Sequence, residues 1–263
     1  MDLNLKSKIA LVTAASHGLG KAAATSLAQE GAIVVICSRK KKAIEQAAKE
    51  IHKLTDADVI PFVADVSKST DIKKLISFVK KQFGTIHILV NNTGGPPTGD
   101  ILTMSDTEWE KGVDLTLKSM IRLTREVLPL MIEQNWGRII TITSIAGKQP
   151  INDLIISSTL RPGIHGLTKV LSNKFAKHNI TVNTVCPGNT LTNRQKELME
   201  TRSAKQKISV KKYLEGVTKD IPAGRLGKPE EIGNTIAFLA SEQAAYINGV
   251  NLLIDGGMAK GIF

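Results

Sequence analysis

Lys8-Ile9-Ala10-Leu11-Val12-Thr13-Ala14-Ala15-Ser16-His17-Gly18-Leu19-Gly20 is the stretch from which the fold can be read. An apolar run of strand length enters a turn of small residues. Ala22, Ala23, Ala24, Leu27 and Ala28 then follow at helical spacing, which predicts a helix opening near Gly18. A helix that starts at the carboxyl end of a buried parallel strand aims its free N–H groups and the positive end of its dipole at the connecting loop, where a pyrophosphate is favoured. Gly18 and Gly20 let a phosphate approach the backbone and let the helix pack on the strand. An ordinary alanine-rich strand-to-helix turn satisfies the same pattern, so the reading depends on what surrounds it.

The chain has 263 residues, 42% of them apolar and 4% aromatic, which suits one α/β domain that buries a full core without disulfides or metals. The segment before Lys8 has no apolar core of a signal peptide, and no later run of about 18 apolar residues could span a bilayer. A soluble, cytoplasmic protein without membrane association is expected. Cys37 and Cys186 each close an apolar strand and read as reduced core thiols. His17, His52, His87, His165 and His178 are scattered, so no metal site is expected. The net charge of +11 raises nucleic acid as a partner, but the lysines are dispersed and lack interleaved aromatics. They read as a solvated surface whose field attracts anionic ligands.

Outward from the first helix, Ala32-Ile33-Val34-Val35-Ile36-Cys37 is a continuous apolar run typical of strands covered on both faces. Ser38-Arg39-Lys40-Lys41-Lys42 follows. An acid at this point of a dinucleotide fold would bind the ribose hydroxyls of NAD, whereas Ser38 and Arg39 suit the 2′-phosphate of NADP. Arg39 is the principal candidate ligand, with His17 or Lys40 as helpers. The alternative is a solvated helix start, although cations are unfavourable at that end of a dipole.

A helix over 41–54 leads to a strand over 59–63, which Pro61 places near a sheet edge. Beyond a helix over 71–83, the strand ending in Asn91-Asn92-Thr93-Gly94 runs into a stiff loop, Gly95-Pro96-Pro97-Thr98-Gly99, expected to wall a site. A long helical segment over 106–134 should kink or end at Pro129. The strand over 137–144 delivers Ser144 to the carboxyl edge of the sheet, where doubly wound folds place their ligands. An apolar loop over 145–156 precedes a helix over 158–177 and a strand over 180–186. Two charged helices, over 194–202 and 205–217, occupy a lid-like segment at about 189–220.

Thr13-x-x-x-x-Gly18-x-Gly20, Asp65-Val66, Ile88-Leu89-Val90-Asn91-Asn92-Thr93-Gly94, Pro187-Gly188, the segment from Arg225 to Glu231 and the ending Ile247 to Gly257 together resemble the short-chain dehydrogenase/reductase family. Ala14 stands where its first loop glycine usually lies. The resemblance covers essentially the whole chain. It implies a doubly wound, Rossmann-type parallel sheet of about seven strands in the order 3-2-1-4-5-6-7, a single domain over 1–263, and a homo-oligomer, tetramer or dimer, packed through the long helices. It also implies an NADP site built from Thr13, Ser16, His17, Gly18, Leu19, Gly20, Ser38, Arg39, Asp65, Val66, Asn92, Gly94, Arg161, Pro187 and Gly188. Asp65 would lie near the adenine amine, or else cap a helix in competition with Ser67.

At the expected active site the pattern breaks. The family's serine is Ser144, but its tyrosine position falls on Ser157, its lysine position on Arg161 and its helix asparagine on Thr116. No shift of register supplies a tyrosine, because Tyr213 and Tyr246 lie far along the chain. Ser157 and Arg161 share a helix face, and Pro162 behind them should make that helix start late or bend. A serine is a far weaker acid than a phenol, and arginine holds its proton. The substituted pattern resembles a divergent branch likened to 3-oxoacyl-acyl-carrier-protein reductases. Three functions follow from this reading: an NADP-dependent oxidoreductase acting on a carbonyl or alcohol with Ser144, Ser157, Arg161 and Thr116 at its centre; a cofactor-binding sensor or partner subunit with little turnover; and a basic nucleic-acid-binding protein. For the first, Ile151, Leu154, Ile155 and Ile156 beside a cationic lid suggest an apolar-tailed or acyl substrate, with Lys148 or Asp153 as substitute acids.

Overall fold

A computed structural model describes residues 2–261 and places seven parallel strands in one sheet of order β3-β2-β1-β4-β5-β6-β7. The strands are β1 (Ile9–Val12), β2 (Ile33–Ser38), β3 (Val59–Val63), β4 (Ile88–Asn91), β5 (Gly137–Ile142), β6 (Ile180–Pro187) and β7 (Asn251–Ile254). Their side chains alternate between the faces, as the two-residue period of a strand requires. Ala10, Val12, Val34 and Ile36 join one apolar core. Ile9, Leu11, Val35 and Cys37 join the other.

The first core is closed by α1 (Gly18–Gln29), α2 (Lys41–Thr55) and α9 (Pro229–Ala240). The second is closed by α3 (Ser69–Phe83) and α5 (Ser119–Glu133), with α6 (Ile155–Phe175) packed against it. Full burial contributes about 1.5–3 kcal/mol for each large aliphatic side chain, so a one-residue slip of any central strand would forfeit several such terms. Pro61 is tolerated because β3 pairs only with β2 and is an edge strand. Ahead of α9, the Arg225 guanidinium clasps Glu231 at 2.6 and 2.9 Å, and Glu231 also accepts from the Lys228 N–H at 2.7 Å. That clasp accounts physically for the motif around Pro229.

Three expectations need correction. The segment over 106–134 is not ended by Pro129: α4 (Asp106–Val113) passes through a π-helical turn, Asp114–Lys118, into α5, which runs on to Glu133. Pro129 faces solvent, so water can serve the carbonyl that its missing N–H leaves free. The same explanation holds for the exposed Pro162. Rather than starting late, α6 opens at Ile155 and is continuous through it. Asp65 does not cap α3, whose N-cap is Lys68; its carboxylate instead accepts from the Ser67 N–H and hydroxyl, at 3.0 and 2.8 Å.

The strand order reverses between β1 and β4, and the crevice at the carboxyl ends there is where doubly wound sheets hold ligands. α7 (Asn193–Lys205) contributes side chains to its wall, and α8 (Val210–Lys219) packs on α7. No helix among the described residues is long and apolar enough to cross a membrane.

Candidate active site

At the reversal point the loops after β1 and β4 are tied together. The Thr13 hydroxyl donates to the Asn92 carbonyl at 2.7 Å, and the Asn92 side-chain amide donates to the carbonyls of Thr13 and Ala14, both at 3.2 Å. This cross-bracing holds Ala14 at φ 48° and Gly18 at φ 60°, so the chain turns sharply into α1. A side chain on Gly20 would stand 2.5 Å from the Asn92 amide and 2.7 Å from the Ala14 carbonyl, so only glycine fits there. No side chain caps α1 and its first turn holds no acid, which leaves its N–H groups free for an anion. Thr13 and Gly20 thus shape the loop from behind, whereas Ser16, His17, Gly18 and Leu19 line the cavity it borders.

That cavity, of about 580 Å³, runs from the start of α2 to the start of α6. Ser38, Arg39, Lys40, Asp65 and Val66 line one end, Asn92 and Gly94 the middle, and Pro187 and Gly188 the wall from β6. Arg39 and Lys40 are exposed, and α2 begins without a side-chain cap or a first-turn acid. A dinucleotide phosphate is the kind of group these features accommodate: two uncapped helix starts, a glycine cradle and unshielded cations.

At the other end, β5 delivers Ser144. Its oxygen accepts from the Ala146 N–H at 3.1 Å, which leaves its proton free to donate into the cavity. Ser157 and Arg161 project from α6 one turn apart, the arginine Nε 3.5 Å from the Ser157 hydroxyl and its Nη1 3.4 Å from the Ile142 carbonyl. Arg161 is only 8% exposed, and burial pushes its pKa down to about 10, so it remains a cation at neutral pH. Thr116 lies on the π-helical turn, behind the main cavity. It faces a void of about 10 Å³ shared with Asn91 and Arg161, where the Thr116 hydroxyl and the Asn91 side-chain oxygen have no partner.

Neither Lys148 nor Asp153 is on the cavity wall. Asp153 is gripped by Arg202 of α7 at 2.7 and 2.8 Å. His165 lies behind Ser144 with its Nε2 3.1 Å from the Thr143 hydroxyl and 3.5 Å from the Cys186 thiol. Burial pushes its pKa down to about 4, so it packs as a neutral ring. α7 adds wall residues that the sequence reading did not single out. Arg194, Leu198 and Arg202 recur every four residues along one face of α7, and that period was the available signal.

A family profile described as enoyl-(acyl carrier protein) reductase matches residues 13–259. The chain is 35% identical to the 3-oxoacyl-[acyl-carrier-protein] reductase FabG of Escherichia coli over 97% of its length and 99% of that protein's. It is 34% identical, over the whole of both chains, to the uncharacterized oxidoreductase YvrD of Bacillus subtilis. Among solved structures, L-sorbose reductase from Gluconobacter frateurii, complexed with NADPH and L-sorbose, superposes with a TM-score of 0.95 at 30% identity and full coverage of both chains.

Proposed function

The chain belongs to the short-chain dehydrogenase/reductase family of oxidoreductases, and from that premise we propose that it is an NADPH-dependent reductase of a carbonyl group whose active site works without a tyrosine. The observation that carries this reading is the single cavity joining Arg39 and the uncapped start of α1 to Ser144, Ser157 and Arg161. Arg39, Ser38 and Lys40 would hold the 2′-phosphate, the α1 N–H groups the pyrophosphate, and Gly94, Pro187 and Gly188 the nicotinamide half. NADPH, when bound, supplies the hydride. The FabG relative acts on 3-oxoacyl groups, and Ile151, Leu154 and Leu198 on the wall suit an acyl tail here.

Reduction leaves negative charge on the substrate oxygen, so groups aimed at that oxygen are what accelerate it. The Ser144 and Ser157 hydroxyls donate hydrogen bonds to the oxygen, and Arg161 adds a fixed positive charge in a desolvated site. Water delivers the proton, because no carboxyl, imidazole, thiol or phenol lines this end of the cavity among the described residues. The same observation favours a second reading, a cofactor-binding sensor with little turnover. Exposed Gly163, Gly166 and Val170 along α6 support assembly of a homo-oligomer through that helix.

Titration with NADPH and NADH tests the cofactor assignment. NADPH should bind at least about tenfold tighter, the scale of a charge-assisted phosphate contact, and Arg39→Ala should remove most of the difference. Equal affinities in the unaltered protein would refute it. Slow NADPH oxidation with a ketone supports the reductase, and tight binding without any turnover supports the sensor.

A further inference from the structure

We infer that Arg161 is a carboxylate anchor, so that the ligand taken at this end of the cleft is an oxo acid carrying a free carboxylate beside its carbonyl. The inference rests on the reductase reading for the carbonyl, but the anion site itself stands on the geometry around Arg161.

A guanidinium has five N–H donors and is costly to bury without a counter-charge. Arg161 is more than nine-tenths buried, and its two contacts, to Ser157 and Ile142, are long and neutral. Among the described residues its Nη2 donates to nothing, and no carboxylate lies within 4 Å of it. The Cys186 thiol cannot supply the missing charge, because burial pushes its pKa up and keeps it neutral. By contrast, the other buried arginine, Arg138, reaches Glu242 at 3.3 Å and the carbonyls of Gly137 and Asn179 at 2.9 Å. One buried arginine is satisfied by the fold; the other opens on the cavity.

The wall around it carries the same sign. Arg194 and Arg202 line the cavity with it, Arg202 already held by Asp153, and among the described residues the only carboxylate on the wall is that of Asp65, at the β3 end. Arginine's planar fork matches a carboxylate with two parallel hydrogen bonds. The distance is also suitable. The Ser157 hydroxyl that would hold a carbonyl oxygen lies 3.5 Å from the guanidinium, so a carboxylate adjacent to that carbonyl, or one carbon away, reaches the fork. Serine in place of a bulkier side chain leaves the approach open. With such a substrate the carboxylate takes up the charge of Arg161 and the two serines meet the developing oxyanion, so the guanidinium acts on that oxygen only for substrates without the acid group.

Calorimetric titration with benzoylformate and with methyl benzoylformate, an acid and its neutral ester, tests the anchor directly. The acid should bind about ten- to a hundredfold tighter than the ester, the scale of a charge-assisted bidentate pair. Arg161→Gln should abolish that ratio, and Arg161→Lys should keep part of it. Equal affinities, no binding of the acid, or an undiminished ratio in Arg161→Gln would overturn the inference. The comparison of acid with ester in the unaltered protein stands even where a variant does not fold. NADPH titration in parallel separates the two conclusions. An acid preference without NADPH binding removes the reductase reading and keeps the anchor. NADPH binding without an acid preference removes the anchor alone, and loss of NADPH affinity in Arg161→Gln would then make Arg161 a cofactor ligand.

Discussion

The two ends of the cleft are each built from a strand running into a helix, yet they hold their charge differently. At the β2–α2 junction Arg39 and Lys40 stand in solvent on neighbouring residues, and the helix starts beside them are left uncapped. At the β5–α6 end one cation, Arg161, is buried next to side chains from β4, the π-helical turn and β5, two of which leave polar atoms unpaired. Water screens the first arrangement, so it suits recognition of a charged ligand that arrives from solution. The second is desolvated, and each charge there acts more strongly on a reacting atom and costs more to maintain.

The sharpest way to test this contrast is to rebuild the β5–α6 end while leaving the other untouched. Ser157→Tyr with Arg161→Lys places a phenol and an ammonium at the positions where the sequence resemblance puts the family's tyrosine and lysine, on a helix face that lines the cavity. Supplying a general acid is worth about 10²–10⁴ in rate, so reduction of a neutral ketone should rise at least a hundredfold in steady-state NADPH oxidation. NADPH should remain preferred over NADH, because Arg39 is unchanged. A double variant no faster than the unaltered protein would mean that the missing tyrosine is not what limits this site.

A second prediction concerns the stability of the buried polar packing behind Ser144. Folding holds His165 neutral with a pKa near 4, below the ordinary value of 6.5. The unfolded chain therefore binds the extra proton first as pH falls. The contribution is fully present above pH 6.5 and is lost progressively down to about pH 4, amounting to on the order of 3 kcal/mol. Urea unfolding at pH 7.5 and pH 4.5 should show that loss, and His165→Leu should remove that part of the pH dependence. Identical pH dependence in the two proteins would mean that the ring is not held neutral by the fold. No comparable term is expected at the β2–α2 junction, where the cations are already hydrated.

How far each end could be read from the sequence follows from the same contrast. The β1 loop, the Ser38-Arg39-Lys40 run and Asp65-Val66 are each contiguous, and local spacing determines what their backbones do. The first two strands stand out as apolar runs and Pro61 marks an edge, whereas the closing strand and the total of seven came with the family resemblance. The prolines at 129 and 162 do not end or delay their helices because the cost of a missing N–H depends on whether the freed carbonyl meets water, which only the packed helix decides. The partners of Arg161 are equally non-local. That Asp153 is claimed by Arg202, 49 residues away, and that nothing claims Arg161 are facts of tertiary packing. Arg194 and Leu198 carry a readable helical period, but the charge of α7 masks the face it presents to the cavity.

The smallest effect concerns the strain at the phosphate loop itself, where the substitution of a single residue is predicted to matter by a fraction of a kcal/mol. Ala14 is held at φ 48°, a left-handed conformation that costs a non-glycine residue about 1–2 kcal/mol. Asn4, Asp56, Asn135 and Asn179 adopt similar angles, but their side chains tolerate it; alanine has no such compensation. The geometry is imposed from outside, by the Asn92 amide on the Ala14 carbonyl and by the Ala15 N–H donating to the Cys37 carbonyl at 3.0 Å. Ala14→Gly relieves the strain but gives the unfolded chain more freedom, which takes back about 0.4–1 kcal/mol. The net gain should be about 0.5 kcal/mol, a rise of one or two degrees in Tm for a chain of this size, approximated from the usual two to four degrees per kcal/mol. The NADPH dissociation constant should stay within about twofold, since the substitution adds no donor and the Asn92 and Cys37 contacts still hold the loop. A clear loss of stability would mean that the Ala14 methyl contributes packing worth more than the strain. A large change in cofactor affinity would mean that rigidity at this residue, and not charge alone, distinguishes the β1–β2 end of the cleft from the other.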